Sequence, residues 1–177
     1  STTGFLEDGA VGAQTNTVGG LSKGTFERLN NQFKTSSGTL SIADMTDLYI
    51  SCQINSPNGK GPDLIICSQD YFASYKALIQ QQERYIDDAQ LDAGRLSLMF
   101  LGASVQNGSG TPPTGDNIIG AYFLNTEYIK LAFDSAAQFE MDDFEHVSGY
   151  ASRSANIYTR MQIYFTHLAS QGLHVNP

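Results

Sequence analysis

The sequence contains no tryptophan and only two cysteines and three histidines in 177 residues, and 16% of its side chains are charged. No run approaches the roughly 18 consecutive apolar residues with which a helix crosses a bilayer, so no membrane segment is expected. Cys52 and Cys67 make at most one disulfide and lack partners at zinc-ligand spacing. Apolar or small residues flank both, and they read as buried, reduced thiols in a cytoplasmic protein, the usual state of free cysteine. Basic residues are scarce as well. Ten Lys and Arg stand against 18 Asp and Glu, a formal charge of −8. Affinity for nucleic acid comes largely from cationic side chains releasing counterions, so a dedicated nucleic-acid binder is not expected. Such a charge fits simple solubility, and equally a wall along which packed DNA slides.

What is present suits a globular body. The apolar fraction is 41%, with 10 Phe, 9 Tyr and 17 Gly, enough for a core in a loop-rich chain of one domain, or of one domain with a smaller annex. The sequence opens Ser1-Thr2-Thr3-Gly4 with no initiator Met and no signal-peptide pattern, as expected of a processed chain or an excised fragment.

Residues 1–20, rich in Gly, Thr and Ser, predict an extended opening segment. Phe26, Leu29 and Phe33 follow at helical spacing, predicting a short helix over 22–33. Ser41 and Asp44 form an S-x-x-D start signal. Met45, Leu48, Tyr49 and Cys52 then fall on one helical face, to a stop near Ile54 before the turn residues Asn55-Ser56-Pro57-Asn58-Gly59. Leu64 to Cys67 reads as a strand buried on both faces. Ser68 caps a second helix with the apolar face Tyr71, Phe72, Tyr75, Leu78 and Ile79, continuing through Gln80-Gln81-Gln82 and fraying before Asp87-Asp88. From Leu96 the period shortens. Leu98–Leu101 and Ala103–Val105 predict strands joined at Gly102, Ile118–Leu124 a third strand and Tyr128–Phe133 a fourth. Asn107 to Gly115 is a polar loop. From Ile157 to Thr166 the side chains alternate cleanly, Ile157, Thr159, Met161, Ile163 and Phe165 on one face, predicting one long strand. The fold class is α+β: a sheet made by Leu64–Cys67 and the Phe100, Ile118 and Tyr128 stretches, flanked by helices, with the final strand in a second lobe.

A search for chemistry finds little. His146, His167 and His174 form no HxH, HExxH or Cys/His cluster, and His167 reads as packed or hydrogen-bonded. Asn58-Gly59-Lys60-Gly61 looks like part of a phosphate loop, but it lacks the G-x-x-x-x-G-K-[ST] spacing and precedes a strand instead of following one. It reads as a surface turn. No G-x-S-x-G elbow and no dinucleotide fingerprint is present. Glu140, Asp142, Asp143 and Glu145 read as a solvated acidic stretch, with nothing nearby to split their pKa values as paired carboxylates require. Asn107-Gly108-Ser109 matches a glycosylation sequon without a secretory context. No catalytic, cofactor-binding or metal-ligating residue is assigned.

Several segments, in order, resemble one family of tailed-bacteriophage major capsid (coat) proteins with the Hong Kong ninety-seven-type fold. They are Gly20-Leu21-Ser22-Lys23-Gly24-Thr25-Phe26 with Asn30-Asn31, and Pro62-Asp63-Leu64-Ile65-Ile66-Cys67-Ser68 with Tyr71, Tyr75 and Gln82-Glu83-Arg84-Tyr85. Leu98 to Val105 and Tyr122-Phe123-Leu124-Asn125-Thr126-Glu127-Tyr128-Ile129-Lys130-Leu131 follow, then the strand from Ile157 that ends near Gln171-Gly172-Leu173. The likeness runs from about Gly19 to the C-terminus. The family's Trp-Arg pair between Phe26 and Asn30 is missing, and its N-terminal arm, extended loop and spine helix have no counterpart. The resemblance implies a fragment: 1–20 an extended segment, 21–133 an axial-domain core, and 134–177 part of the peripheral domain. It implies a structural virion protein, not an enzyme, needing no cofactor and made in the bacterial host's cytoplasm. Its partners would be its own copies in pentamers and hexamers of an icosahedral head, other head proteins, and packaged DNA only non-specifically, with no membrane. The Asn107–Gly115 loop would lie near the ring axis. Two rivals remain: a decoration, tail or adhesion module, and an enzyme whose site is dispersed along the chain.

Overall fold

In the computed structural model, residues 6, 13–18, 20–36, 38–80, 91–92, 95–96, 98–108, 119–135, 138–146 and 148–176 are described. The chain forms two compact units, Ser1–Tyr128 with His167–Pro177, and Ile129–Thr166. The segment expected as 134–177 is therefore shared between them.

The first unit opens with a small ribbon, β1 (Thr17–Val18) against β2 (Leu21–Ser22). A six-stranded mixed sheet follows, built from β3 (Gln32–Thr35), β4 (Leu64–Cys67), β7 (Leu98–Phe100), β8 (Ala103–Asn107), β9 (Ile119–Leu124) and β16 (Gly172–Asn176). Their order is β3-β16-β9-β4-β8-β7. β16 runs parallel to β3 and β4 parallel to β8; the other pairings are antiparallel. A two-stranded ribbon, β5 (Leu91–Asp92) with β6 (Arg95–Leu96), precedes β7. The α+β class stands.

Two helices cover one face of the sheet. α1 (Ile42–Ile54) starts at Ser41, whose hydroxyl accepts from the Ala43 amide, and buries Met45, Leu48 and Cys52. α2 (Gln69–Gln80) follows Ser68, whose Oγ lies 3.4 Å from the Tyr71 amide nitrogen, and it buries Tyr71 and Tyr75. Strand parity puts Gly172 and His174 on the same side. A Cβ at Gly172 would meet Leu48 and Cys52 of α1, and His174 bonds Tyr71 of α2. Phe123, Ile65 and Val105 continue this face through direct pairing, and all are buried. Phe100 anchors its far side, with edge-on ring contacts to Tyr49, Tyr75 and Phe123.

Three expectations need correction. Residues 22–33 are not a helix but a 3-10 turn (Glu27–Leu29) leading into β3. The Gln14 side chain explains this. It accepts from the Asn31 amide and donates to the Asn31 carbonyl, taking the groups a helix would have used. The Tyr128–Phe133 stretch is not in the main sheet, because β16 occupies the place beside β9. Its strand, β10 (Ile129–Phe133), belongs to the second unit. The long strand over 157–166 is broken at Thr159-Arg160 into β14 (Ile157–Tyr158) and β15 (Met161–Phe165), because pairing on the opposite side passes from Phe133 against Met161 to Glu140 against Tyr158. A smaller difference concerns β4: Ile65 and Cys67 are fully buried, while Leu64 and Ile66 are half-buried. The end of the second helix beyond Gln80 falls outside the described residues, as does most of the Asn107–Gly115 loop.

The second unit is a series of nested antiparallel pairings. β10 pairs with β15, β11 (Glu140–Met141) with β14, and β12 (Glu145–His146) with β13 (Arg153–Ser154).

Candidate functional site

The residues singled out in the sequence do not come together. Lys60 is an exposed turn residue paired with Glu127 at 3.4 Å, and Asn58 donates to the same carboxylate at 2.6 Å. Beside it, Asp63 accepts from the Thr126 amide at 2.7 Å and from the Thr126 hydroxyl. The turn that looked like a phosphate loop thus ties β4 to the end of β9. Glu140, Asp142, Asp143 and Glu145 are all exposed on the hairpin of the second unit. His146 is exposed opposite Arg153. His167 packs its ring 5.6 Å from Tyr128, its Nδ1 is buried without a hydrogen-bond partner, and burial lowers its pKa. Among the described residues no three His, Cys, Asp or Glu side chains gather as a metal site needs.

Both cysteines are buried and outside any disulfide, and burial pushes each thiol up to about 12. The thiolate is the reacting species. At pH 8 a thiol-specific disulfide reagent should therefore label neither residue in the native chain and both after guanidinium unfolding. Rapid native labelling at either position would contradict their place in the core.

Sequence reading missed a buried polar chain in the first unit. Ser36 donates to Asp44 at 2.8 Å, and its oxygen lies 3.1 Å from His174 Nε2. His174 Nδ1 lies 3.0 Å from the Tyr71 hydroxyl. Since the Ser36 proton goes to Asp44, Nε2 carries the imidazole proton and Nδ1 accepts from Tyr71. Burial holds the Tyr71 phenol well above its ordinary range and lowers His174 to about 4. The Ser36 bond, seconded by Lys34, holds Asp44 below the usual carboxylate range. Ser, His and Asp together invite comparison with a nucleophilic triad, but the order is wrong. In a triad the imidazole bridges serine and carboxylate; here the serine bridges imidazole and carboxylate. His174 is 0% exposed, so substrate has no access. The chain acts as a strap joining β16 to α1 and α2.

A second buried polar pair fastens the same strand. Gln171 and Asn125 bond reciprocally, Asn125 amide to Gln171 Oε1 at 2.8 Å and Gln171 Nε2 to the Asn125 carbonyl at 3.1 Å.

The remaining features lie on the surface. Directly paired residues share a face, so Ile129, Leu131, Phe133, Met161, Ile163 and Phe165 form one wholly apolar face of the β10–β15 ribbon. Four of them, Leu131, Phe133, Met161 and Ile163, are exposed. Two large apolar residues also hold positive φ, Leu101 at 48° and Phe139 at 54°, the only non-glycine cases among the described residues. Leu101 is 55% exposed and Phe139 70%. A left-handed backbone costs an L-residue roughly 1 kcal/mol, and asparagine or glycine would avoid most of it. No family model and no curated protein matches the chain.

Proposed function

We propose that the chain is a structural coat subunit of a tailed-bacteriophage head, of the Hong Kong ninety-seven-type fold, and that it works by assembling with its own copies into pentamers and hexamers. The observation that carries this reading is the apolar face of the β10–β15 ribbon. A two-stranded ribbon alone is marginally stable in water, and an exposed apolar face of this kind marks an interaction surface. The mixed sheet with helices on one face agrees with the class of fold the resemblance implies. The strands over Leu64–Cys67 and Tyr122–Leu124, which carry part of that resemblance, lie side by side in it. A net charge of −8 suits a wall that packaged DNA slides past without adhering. In this reading the chain performs no chemistry, and its function is the geometry of its contacts.

Native mass spectrometry and negative-stain electron microscopy of the chain test the reading, with rings of five or six copies expected. Ile163→Asp together with Leu131→Asp should shift the population to monomer while leaving the melting of the six-stranded unit unchanged. A chain that stays monomeric at its highest soluble concentration would sink the proposal.

A further inference from the structure

β3 is an edge strand of the six-stranded sheet, bonded to β16 along one side only. Its two ends are held by different means. At the start, the Gln14 side chain grips both backbone groups of Asn31, and the Gln32 amide donates to the Gln171 carbonyl at 2.9 Å. At the far end, the Ser36 amide donates to the Val175 carbonyl at 3.1 Å, and the Ser36 hydroxyl joins His174 to Asp44. The far end therefore depends on the protonation state of an imidazole, and the start does not.

His174 is wholly buried and neutral, with Nε2 directed at Ser36 and Nδ1 at Tyr71. A second proton, on Nδ1, would meet the proton of the Tyr71 hydroxyl and leave an imidazolium in the core, a charge that is costly until water reaches it. Access is unequal around the imidazole. Its register partner on the β9 side, Ala121, is buried, as is Tyr71 of α2. Its register partner on the β3 side is Lys34, whose side chain is 37% exposed. Gln32–Lys34 are half-buried and Thr35 is exposed. Displacing this edge strand opens the cheapest route for water, since local opening follows the elements with least burial. Among the described residues, the charged and titratable groups around the imidazole are Lys34 of β3, Asp44 of α1 with Asp47 beyond it on Lys34, and Tyr71 of α2 with Cys67 of β4 behind it. Asp44 favours the protonated form and Lys34 opposes it, and burial outweighs both.

We propose that β3 is an acid-operated flap: protonation of His174 peels it from β16, beginning at Ser36 and hinged at Asn31, while β4, β8 and β9 stay paired. This opening is a narrower event than loss of the whole unit, and it is independent of the coat-subunit reading.

Native-state hydrogen exchange, resolved by residue and corrected for the intrinsic pH dependence of amide exchange, tests it. Between pH 6.5 and 4.5 the Ser36 amide should lose protection about tenfold per pH unit, the slope of one proton taken up on opening. That opening should be nearly insensitive to low denaturant, because it exposes little surface. Amides of β4 should stay better protected at every pH and open with the denaturant sensitivity of global unfolding. In His174→Gln the Ser36 amide should lose its pH dependence over this range. Ser36 and β4 amides sharing one protection and one denaturant sensitivity would make the opening global and overturn the flap. So would a Ser36 amide whose protection in the wild type does not change with pH, a result that needs no variant to fold.

Discussion

Lowering the pH from 7 to 4 should destabilise the six-stranded unit by about 3 kcal/mol through His174 alone. Its pKa in the folded chain is about 4, against an ordinary value of 6.5. Between those values the unfolded chain binds a proton that the folded chain refuses, so unfolding is favoured as pH falls. The contribution is complete above pH 6.5, declines as pH drops to about 4, and changes no further below that. Burial is the main cause. Of the charged groups facing the ring, the Asp44 carboxylate opposes the shift and the Lys34 ammonium reinforces it. Asp44, with its own pKa lowered, adds loss of the same sign at still lower pH. Thermal melts at stepped pH would show the slope. His174→Gln should be less stable at pH 7, having lost part of the strap, yet flatter between pH 6.5 and 4. An unchanged slope in that variant would place the titrating group elsewhere.

That histidine also marks where the sequence stops being informative. α1 and α2 were legible because their signals are local: a serine cap, an acidic first turn and apolar residues at i, i+3, i+4 and i+7. β4 and the β7–β8 hairpin were legible for similar reasons. β16 gave no such signal. Gly172-Leu173-His174-Val175-Asn176 has weak apolar character, and its neighbours, β3 and β9, lie far back along the chain. His174 is buried because Ser36 and Tyr71, 138 and 103 residues away, supply its hydrogen bonds. No spacing rule reaches that far. The misread helix over 22–33 failed for a related reason: Phe26, Leu29 and Phe33 keep helical spacing, but Gln14 and β16 claim the backbone.

The surface features were half legible. The alternation from Ile157 correctly placed Met161, Ile163 and Phe165 on one face, but alternation tells which residues share a face and not what covers it. The Leu101 projection had a visible trace: a Leu-Gly pair at a hairpin turn where Asn-Gly is usual.

Tight packing of α1 on β16 gives the other large expected effect. Gly172→Ala should destabilise the chain by about 2–3 kcal/mol. The added Cβ would stand 2.7 Å from Cys52 Sγ and 3.2 Å from two carbons of Leu48. Both residues are in the core, so neither can swing into solvent, and α1 must lift from β16. Gly61 offers a contrast. A Cβ there would meet the Tyr49 ring, but that ring can rotate outward at the cost of its bond to the Leu101 carbonyl. Cys52→Ala removes the nearest atom, so in Gly172→Ala/Cys52→Ala the two losses should sum to clearly more than the measured effect. Additive losses would mean that the glycine is not set by this contact.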